Sequence, residues 1–360
     1  MTNSDVNAAR VSKSDEFYTQ YEDIAAEMNA YTEYNPDVFG DKTILLPCDD
    51  YERSNFTKYF SDNFERLGIK KLISTCYAKS PDNQFSLFEA TEEREDANGK
   101  IFVKEREGAR SGRLQGNGDF RSEEVCNLRD SADFVITNPP FSLFREFMKW
   151  LTDGGKHFSV LGNINAVTCK DVFPLLKDDV VWLGSSIHSG DRKFNVPDDY
   201  PLDAVGCGID PDGKKYIRVK GVRWFTNIEF GNRHKAMELN TAEQNLKNEK
   251  LLRKLEGEYG CTEYPRYDNY DAIEIPFTEF IPSDYDGTMG VPITFLDKYC
   301  PEQFEILWQA TGNTYANAPR EVLKYLRFDP TIKCRGGTGI ASLKGHAMYP
   351  RMLIRRRNHD

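Results

Sequence analysis

Apolar positions in the first half of the chain follow two periods. Continuous apolar runs occur at "KTILLP" (42–47), "KKLISTCYA" (70–78), "DFVIT" (133–137), "HFSVLG" (157–162) and "VVWLG" (180–184). Such runs predict strands buried on both faces. Between them, apolar residues recur every three or four positions: Tyr21, Ile24, Ala25 and Met28, then Phe56, Tyr59, Phe60, Phe64 and Leu67, then Leu143, Phe144, Phe147 and Leu151. These stripes predict amphipathic helices, the second running from an N-cap at Ser54 to a C-cap at Gly68. Short helices are predicted at 122–130 and near 168–177. Strand, turn, helix and strand in this order predict an α/β fold with a parallel, doubly wound sheet.

Residues 79–118 break the rhythm with polar, charged and glycine-bearing sequence ("EEREDANGK", "EGARSGRLQGNGD") and predict an insert with one hairpin. From 185 the pattern shifts to short β-like pieces such as "KKYIRVKGVRWFTNIEF". A charged helical stretch and the tyrosine-rich "YGCTEYPRYDNYDAIEIPF" follow. The chain therefore divides into a polar, disordered start (1–15), an α/β half (16–184), an irregular α+β region (185–345) and a terminal strand with a basic tail (346–360).

Composition narrows the class. A chain of 360 residues can bury one large core plus an insert. No apolar run approaches a bilayer span, and the start "MTNSDVNAARVSKSDE" lacks a signal core, which predicts a cytoplasmic protein without a membrane partner. The eight cysteines are dispersed, with no CxxC pair and no Cys/His cluster, so no metal site is predicted and the thiols read as reduced. A net charge of −10 argues against a protein that merely coats nucleic acid. It leaves room for a local basic groove.

The stretch "DFVITNPPFSLFREF" (133–147) carries the chemistry. A buried strand stops at Asn138-Pro139-Pro140-Phe141, and a helix follows. Two prolines fix their own φ and force the preceding residue out of the helical region, so backbone carbonyls stay at the carboxyl edge of the sheet instead of entering a helix ladder. Asn138 adds a side-chain carbonyl and Phe141 a flat apolar face. Two acceptors beside a ring suit a planar heterocycle with an exocyclic NH2. Drawing on both N–H groups localises the nitrogen lone pair for attack on an electrophilic methyl.

These residues resemble the catalytic motif of S-adenosylmethionine-dependent amino methyltransferases acting on adenine N6. The wider set is similar to the EcoRI-methylase-like adenine-specific DNA methyltransferases: "DEFYTQ" (15–20), "CDDYERSNFTKYF" (48–60), "GDFRSEE" (118–124), "NPPFSLFREF" (138–147), "GNINAVT" (162–168), "YDNYDAIE" (267–274) and "MGVPITFLDKYCPEQFEI" (289–306). The resemblance implies a Rossmann-like doubly wound methyltransferase sheet over 16–184 that binds S-adenosylmethionine. It implies an irregular target-recognition region over 185–345. The implied reaction is methyl transfer to N6 of an adenine flipped out of double-stranded DNA. The implied partner is a cognate restriction nuclease acting on the same site.

Residue by residue, the resemblance implies that Tyr18, Thr19 and Gln20, with Phe17 beside them, line the methionine end of the cofactor. Asp49 or Asp50 would face its ammonium, within a turn that also holds Ser54 and Asn55. Asp119 would read its adenine amine, with Phe120 against the ring. Phe194 would stack on the extruded base, with Trp182 and Trp224 as alternatives. Arg355, Arg356 and Arg357 would meet DNA phosphates. The first turn departs from the general methyltransferase pattern in lacking glycine, and the second strand ends in Thr75-Cys76-Tyr77 without an acidic ribose ligand. Two other readings stay open on sequence. One keeps the clamp but acts on RNA guanine N2 or a protein amide. The other is a non-catalytic nucleic-acid-binding protein with a degenerate cofactor fold.

Overall fold

A computed structural model describes residues 17–78, 98–198, 200, 202 and 206–357. The predicted disordered start and residues 79–97 of the predicted insert lie outside them. Two compact units emerge, Met1–Asn163 with Leu183–Phe230, and Ile164–Trp182 with Gly231–Asp360. The expected divide near 185 therefore falls inside the first unit.

The first unit opens with a strap, β1 (Tyr18–Thr19), and the helix α1 (Tyr21–Tyr34). Then come β2 (Thr43–Leu46), α2 (Asn55–Asp62), β3 (Lys71–Cys76), a hairpin of β4 (Lys100–Glu105) and β5 (Gly108–Arg113), and α3 (Glu123–Ser131). These lead to β6 (Phe134–Thr137), α4 (Phe144–Asp153) and β7 (His157–Asn163). The two-residue β8 (Trp182–Leu183) stands at the unit boundary, and β9 (Asp191–Asn195), β10 (Cys207–Ile209), β11 (Lys215–Lys220) and β12 (Val222–Thr226) complete the set.

The main sheet has eight strands in the order β5-β4-β3-β2-β6-β7-β12-β8. Its centre, β3-β2-β6-β7, is parallel. The insert contributes the predicted hairpin, which pairs antiparallel on β3. The apolar runs predicted these central strands because both faces are covered: Ile44, Leu45, Leu46, Val135, Ile136, Val160 and Leu161 are all fully buried. The unpredicted member is β12, which pairs antiparallel with β7 and sends Trp224 onto Phe56 and Phe225 onto Phe144. Chain direction away from the centre reverses between β2 and β6, the kind of switch point outside whose carboxyl ends open α/β sheets bind ligands.

Helix α2 is shorter than its stripe of apolar residues. Ser54 caps it as predicted, accepting from the Phe56 and Thr57 N–H groups, but the helix ends at Asp62. Phe64 and Leu67 are buried from the following turn, and Gly68 (φ +63°) ends that turn instead of the helix. A second sheet, β1-β9-β11-β10, runs antiparallel.

The second unit contains α5 (Phe173–Lys177), α6 (Glu249–Lys254), β13 (Ala272–Glu274), β14 (Thr288–Pro292), β15 (Phe304–Ala310), α7 (Thr314–Asn317) and α8 (Arg320–Tyr325). A small hairpin, β16 (Ser342–Leu343) with β17 (His346–Ala347), precedes β18 (Arg351–Arg356). The sheet order is β13-β14-β18-β15, so the terminal strand is central and not an appendage. Its Arg351 pairs with the fully buried Glu274 at 2.8 Å. The Tyr259 and Tyr267 hydroxyls donate to the same carboxylate. Among the described residues, no helix is long and apolar enough to cross a membrane.

Candidate active site

The carboxyl ends of β2, β3 and β6 meet around Asp49. Its backbone N–H bonds the Thr75 carbonyl at 2.8 Å, and its own carbonyl accepts from the Ser74 hydroxyl at 2.6 Å. The carboxylate accepts from Ser54 Oγ and Thr137 Oγ1, both at 2.6 Å. Asp49 is 6% exposed. Burial raises its pKa to about 6, against the lowering effect of the two hydroxyl bonds. Asp50 faces elsewhere: Lys100 reaches it at 3.3 Å, and its other oxygen accepts the Glu52 N–H at 3.0 Å. The two aspartates that sequence left equivalent are thus distinct, one buried at the switch point and one in a half-buried ion pair.

The junction after β6 begins with Thr137, already bonded to Asp49. Asn138 comes next, half-buried, and its Nδ2 donates to the Phe17 carbonyl at 2.7 Å. Asn138 Oδ1 is buried and, among the described residues, accepts no hydrogen bond. Pro139 is buried, and the Pro140 carbonyl accepts the Leu143 N–H at 3.0 Å to close a tight turn over Phe141–Leu143. The Phe141 ring stands 5.8 Å from Phe17 and 6.3 Å, edge to face, from Phe194. Phe17 also lies 5.9 Å from Phe194 and 6.4 Å from Tyr200. Four aromatic rings therefore gather beside the asparagine, with Phe194 itself 1% exposed.

The strap is held from both sides. Asn138 holds the Phe17 carbonyl, and Asn55 Nδ2 holds the Thr19 carbonyl at 2.7 Å, two residues along. On its other edge β1 pairs with β9, Thr19 opposite Phe194. Thr19 Oγ1 and Gln20 Nε2 are buried without a hydrogen-bond partner among the described residues. A buried polar atom left unpaired costs about 1–3 kcal/mol, which makes these two atoms on one strap candidates for ligand contact. Tyr18 lies on the same strand, half-buried.

Asp119 sits at the carboxyl end of β3. The Ala78 N–H bonds the Asn117 carbonyl at 2.8 Å, and Gly118 (φ +81°) packs so close that a Cβ there would meet the Cys76 carbonyl oxygen at 2.5 Å. Only glycine fits both that φ and that approach. Gly118→Ala is therefore expected to lift the turn from β3 and cost about 1–2 kcal/mol, read as a lower urea midpoint at unchanged m-value. The Asp119 carboxylate is paired with Arg121 at 2.7 Å, and those hydrogen bonds lower its pKa. Phe120 is buried edge to face on Phe147 and Trp150, at 5.0 and 5.6 Å.

Trp224 is fully buried in the core of the main sheet, and Trp182 lies under the Arg233 guanidinium at 3.7 Å. Arg355, Arg356 and Arg357 belong to the second unit and have protein partners. Arg355 bonds Glu305 at 2.7 Å, Arg356 donates to the Ser283 carbonyl, and Arg357 donates to the Pro301 carbonyl at 2.7 Å. Sequence reasoning missed Tyr200 and Thr137. Tyr200 had a signal, an aromatic six residues after Phe194 in "FNVPDDY". Thr137 had none, since nothing in a strand's last residue shows which carboxylate it will meet.

The family profile described as "Adenine-specific methyltransferase EcoRI" matches residues 5–357. The type II methyltransferase M.EcoRI of Escherichia coli is 43% identical over 311 residues, covering 85% of this chain and 89% of that protein. The type II methyltransferase M.MpnI of Mycoplasma pneumoniae is 34% identical over 355 residues, 98% of each chain. M.MgeORF184P of Mycoplasma genitalium, also named a type II methyltransferase, is 33% identical over 352 residues, 97% of this chain and 98% of that one. No solved structure matches significantly.

Proposed function

The chain belongs to the EcoRI family of adenine-specific methyltransferases, and from that premise we propose how its own residues methylate an adenine at N6 in double-stranded DNA. The reading rests above all on the Asn138 amide. Its nitrogen is tied to the Phe17 carbonyl, and its oxygen is buried and without a hydrogen-bond partner among the described residues. The amide is thereby fixed in the orientation that presents an acceptor. Asn138 Oδ1 and the Pro139 carbonyl take the two N6 hydrogens of the target base, and Phe141 stacks on its ring. With both N–H groups held, the N6 lone pair is less delocalised into the heterocycle, and the surplus proton leaves along either acceptor to water. Phe194 closes the other side of the base, which reaches the clamp only after leaving the duplex.

S-adenosylmethionine fits the residues present. Thr19 Oγ1 and Gln20 Nε2 are buried polar atoms awaiting partners, and Asp49 offers a buried carboxylate to a cationic ligand at the switch point of the sheet. When bound, it supplies an electrophilic methyl on a sulfonium. Tyr18, Thr19 and Gln20 would hold its amino-acid end, with Asp49 supplying the charge while Ser54 and Asn55 keep the carboxylate and the strap in place. Asp119 and Phe120 would meet its adenine. The sheet is then the Rossmann-like methyltransferase sheet, its central parallel strands flanked by β12, and a restriction nuclease of the same specificity is the natural partner.

The test is transfer of labelled methyl from S-adenosylmethionine to double-stranded DNA, RNA and protein in parallel. The expected product is N6-methyladenine in duplex DNA. Label confined to RNA or protein would overturn the substrate assignment.

A further inference from the structure

Within a chain of net charge −10, residues 311–357 hold ten Lys/Arg and two Asp/Glu. Several of these cations are neutralised by carboxylates elsewhere in the second unit: Arg351 by Glu274, Arg355 by Glu305, Arg327 by Asp271. Arg320 and Lys324 on α8, and Lys333 and Arg335 on the loop after it, are exposed. Among the described residues no ion pair engages these four. Tyr315 and Tyr325 stand beside them at 51% exposure each.

The glycines of this loop answer to backbone conformation and close packing. Gly336, Gly337 and Gly339 all have positive φ, and a Cβ on Gly337 would meet the Gly312 carbonyl oxygen at 2.5 Å. Beneath the loop lies "YDNYD" (267–271), a motif the catalytic chemistry leaves unused. Tyr270 Oη donates to the Gly339 carbonyl at 2.5 Å, and Asn269 Nδ2 donates to the Ile340 carbonyl at 2.7 Å. Asp268 accepts from the Ser342 hydroxyl at 2.6 Å and the Gly345 N–H at 2.8 Å. Three consecutive side chains thus fasten one basic segment. α8 joins the same block, because Phe328 just after it packs on both Tyr270 and Tyr315, at 5.0 and 5.8 Å.

We propose that this block is a DNA-docking surface, on which Arg320, Lys324, Lys333 and Arg335 contact duplex phosphates and "YDNYD" holds the loop in register. The inference rests on DNA being the substrate. Charge complementarity selects the occupant: four exposed cations without an ion pair among the described residues, in a chain of net charge −10, suit a polyanion. The basic helix α6 is the instructive contrast, because its Arg253 and Lys254 are each paired with a glutamate one turn away.

The experiment measures duplex affinity by fluorescence anisotropy across a salt series, with methyl transfer by the wild type assayed alongside. The double variants Lys333→Gln/Arg335→Gln and Arg320→Gln/Lys324→Gln are each expected to weaken binding roughly tenfold. Each should also reduce the log–log salt slope by about 2, one for each phosphate left without its cation. Lys247→Gln/Arg253→Gln, with the same change in charge, is expected to bind as the wild type does. Unchanged affinity and slope in both test variants, beside a wild type that methylates DNA, would overturn this surface alone. A wild type that neither binds nor methylates duplex DNA would overturn the surface together with the substrate reading.

Discussion

Asn138→Ala is expected to lower kcat by about 10²–10³-fold, with a smaller weakening of S-adenosylmethionine binding because the strap loses its Asn138–Phe17 bond. The asymmetry follows from where the side chain points. On the proposed clamp its oxygen, buried and without a hydrogen-bond partner among the described residues, would meet the base, while its nitrogen donates to the Phe17 carbonyl. Truncation removes one of two acceptors for the N6 hydrogens, a contact that strengthens as the nitrogen begins to attack, so the loss falls on kcat more than on KM. Asn138→Asp separates the two ends of the amide. It keeps an acceptor but sets a carboxylate oxygen against the Phe17 carbonyl, so the strap is repelled, and activity is expected between wild type and alanine. Single-turnover transfer to duplex DNA, with cofactor binding by calorimetry, reads both quantities.

Asp49→Asn should have the second largest effect, about 100-fold weaker cofactor binding, the range set by a charge-assisted contact in a buried site. Its stability should move the other way. Burial raises the folded-state pKa of Asp49 from 3.8 to about 6. Between these values the native state binds more protons than the unfolded one, so stability falls as pH rises through that window. The neutral asparagine has no such loss and can still bond Ser54 and Thr137. Asp49→Asn is therefore expected to be at least as stable as wild type at pH 7, by urea denaturation. For the ligand the sign reverses. Only ionised Asp49 attracts a cation, so wild-type cofactor affinity should fall below pH 6, approaching tenfold per unit, and Asp49→Asn should lack that slope. A variant that binds cofactor like the wild type would remove Asp49 from the site.

The local order of the sheet and the Asn-Pro-Pro-Phe junction were legible because their signals are contiguous. A buried run, two prolines and an amphipathic helix occupy fifteen residues, and each constrains the next. What sequence hid was non-local. β12 lies next to β7 although some sixty residues separate them, and a five-residue β-like piece carries no address for its partner. The Asn55–Thr19 and Asn138–Phe17 bonds join residues 36 and 121 positions apart, through backbone carbonyls that every residue possesses. The glycine-free first turn is explained by the same kind of contact. Ser54 both caps α2 and bonds Asp49, so hydroxyls tie down the turn where glycine was expected to allow close approach. The basic end of the chain was visible as composition, but its pairing with Glu305 and the Ser283 and Pro301 carbonyls was not.

The decisive measurement is a crystal structure of the protein with a non-reactive cofactor analogue and a duplex bearing its methylation site. The extruded adenine should place N6 about 2.6–3.2 Å from both Asn138 Oδ1 and the Pro139 carbonyl, with Phe141 against its ring. A target base bound elsewhere, with Asn138 Oδ1 still unengaged, would contradict the clamp.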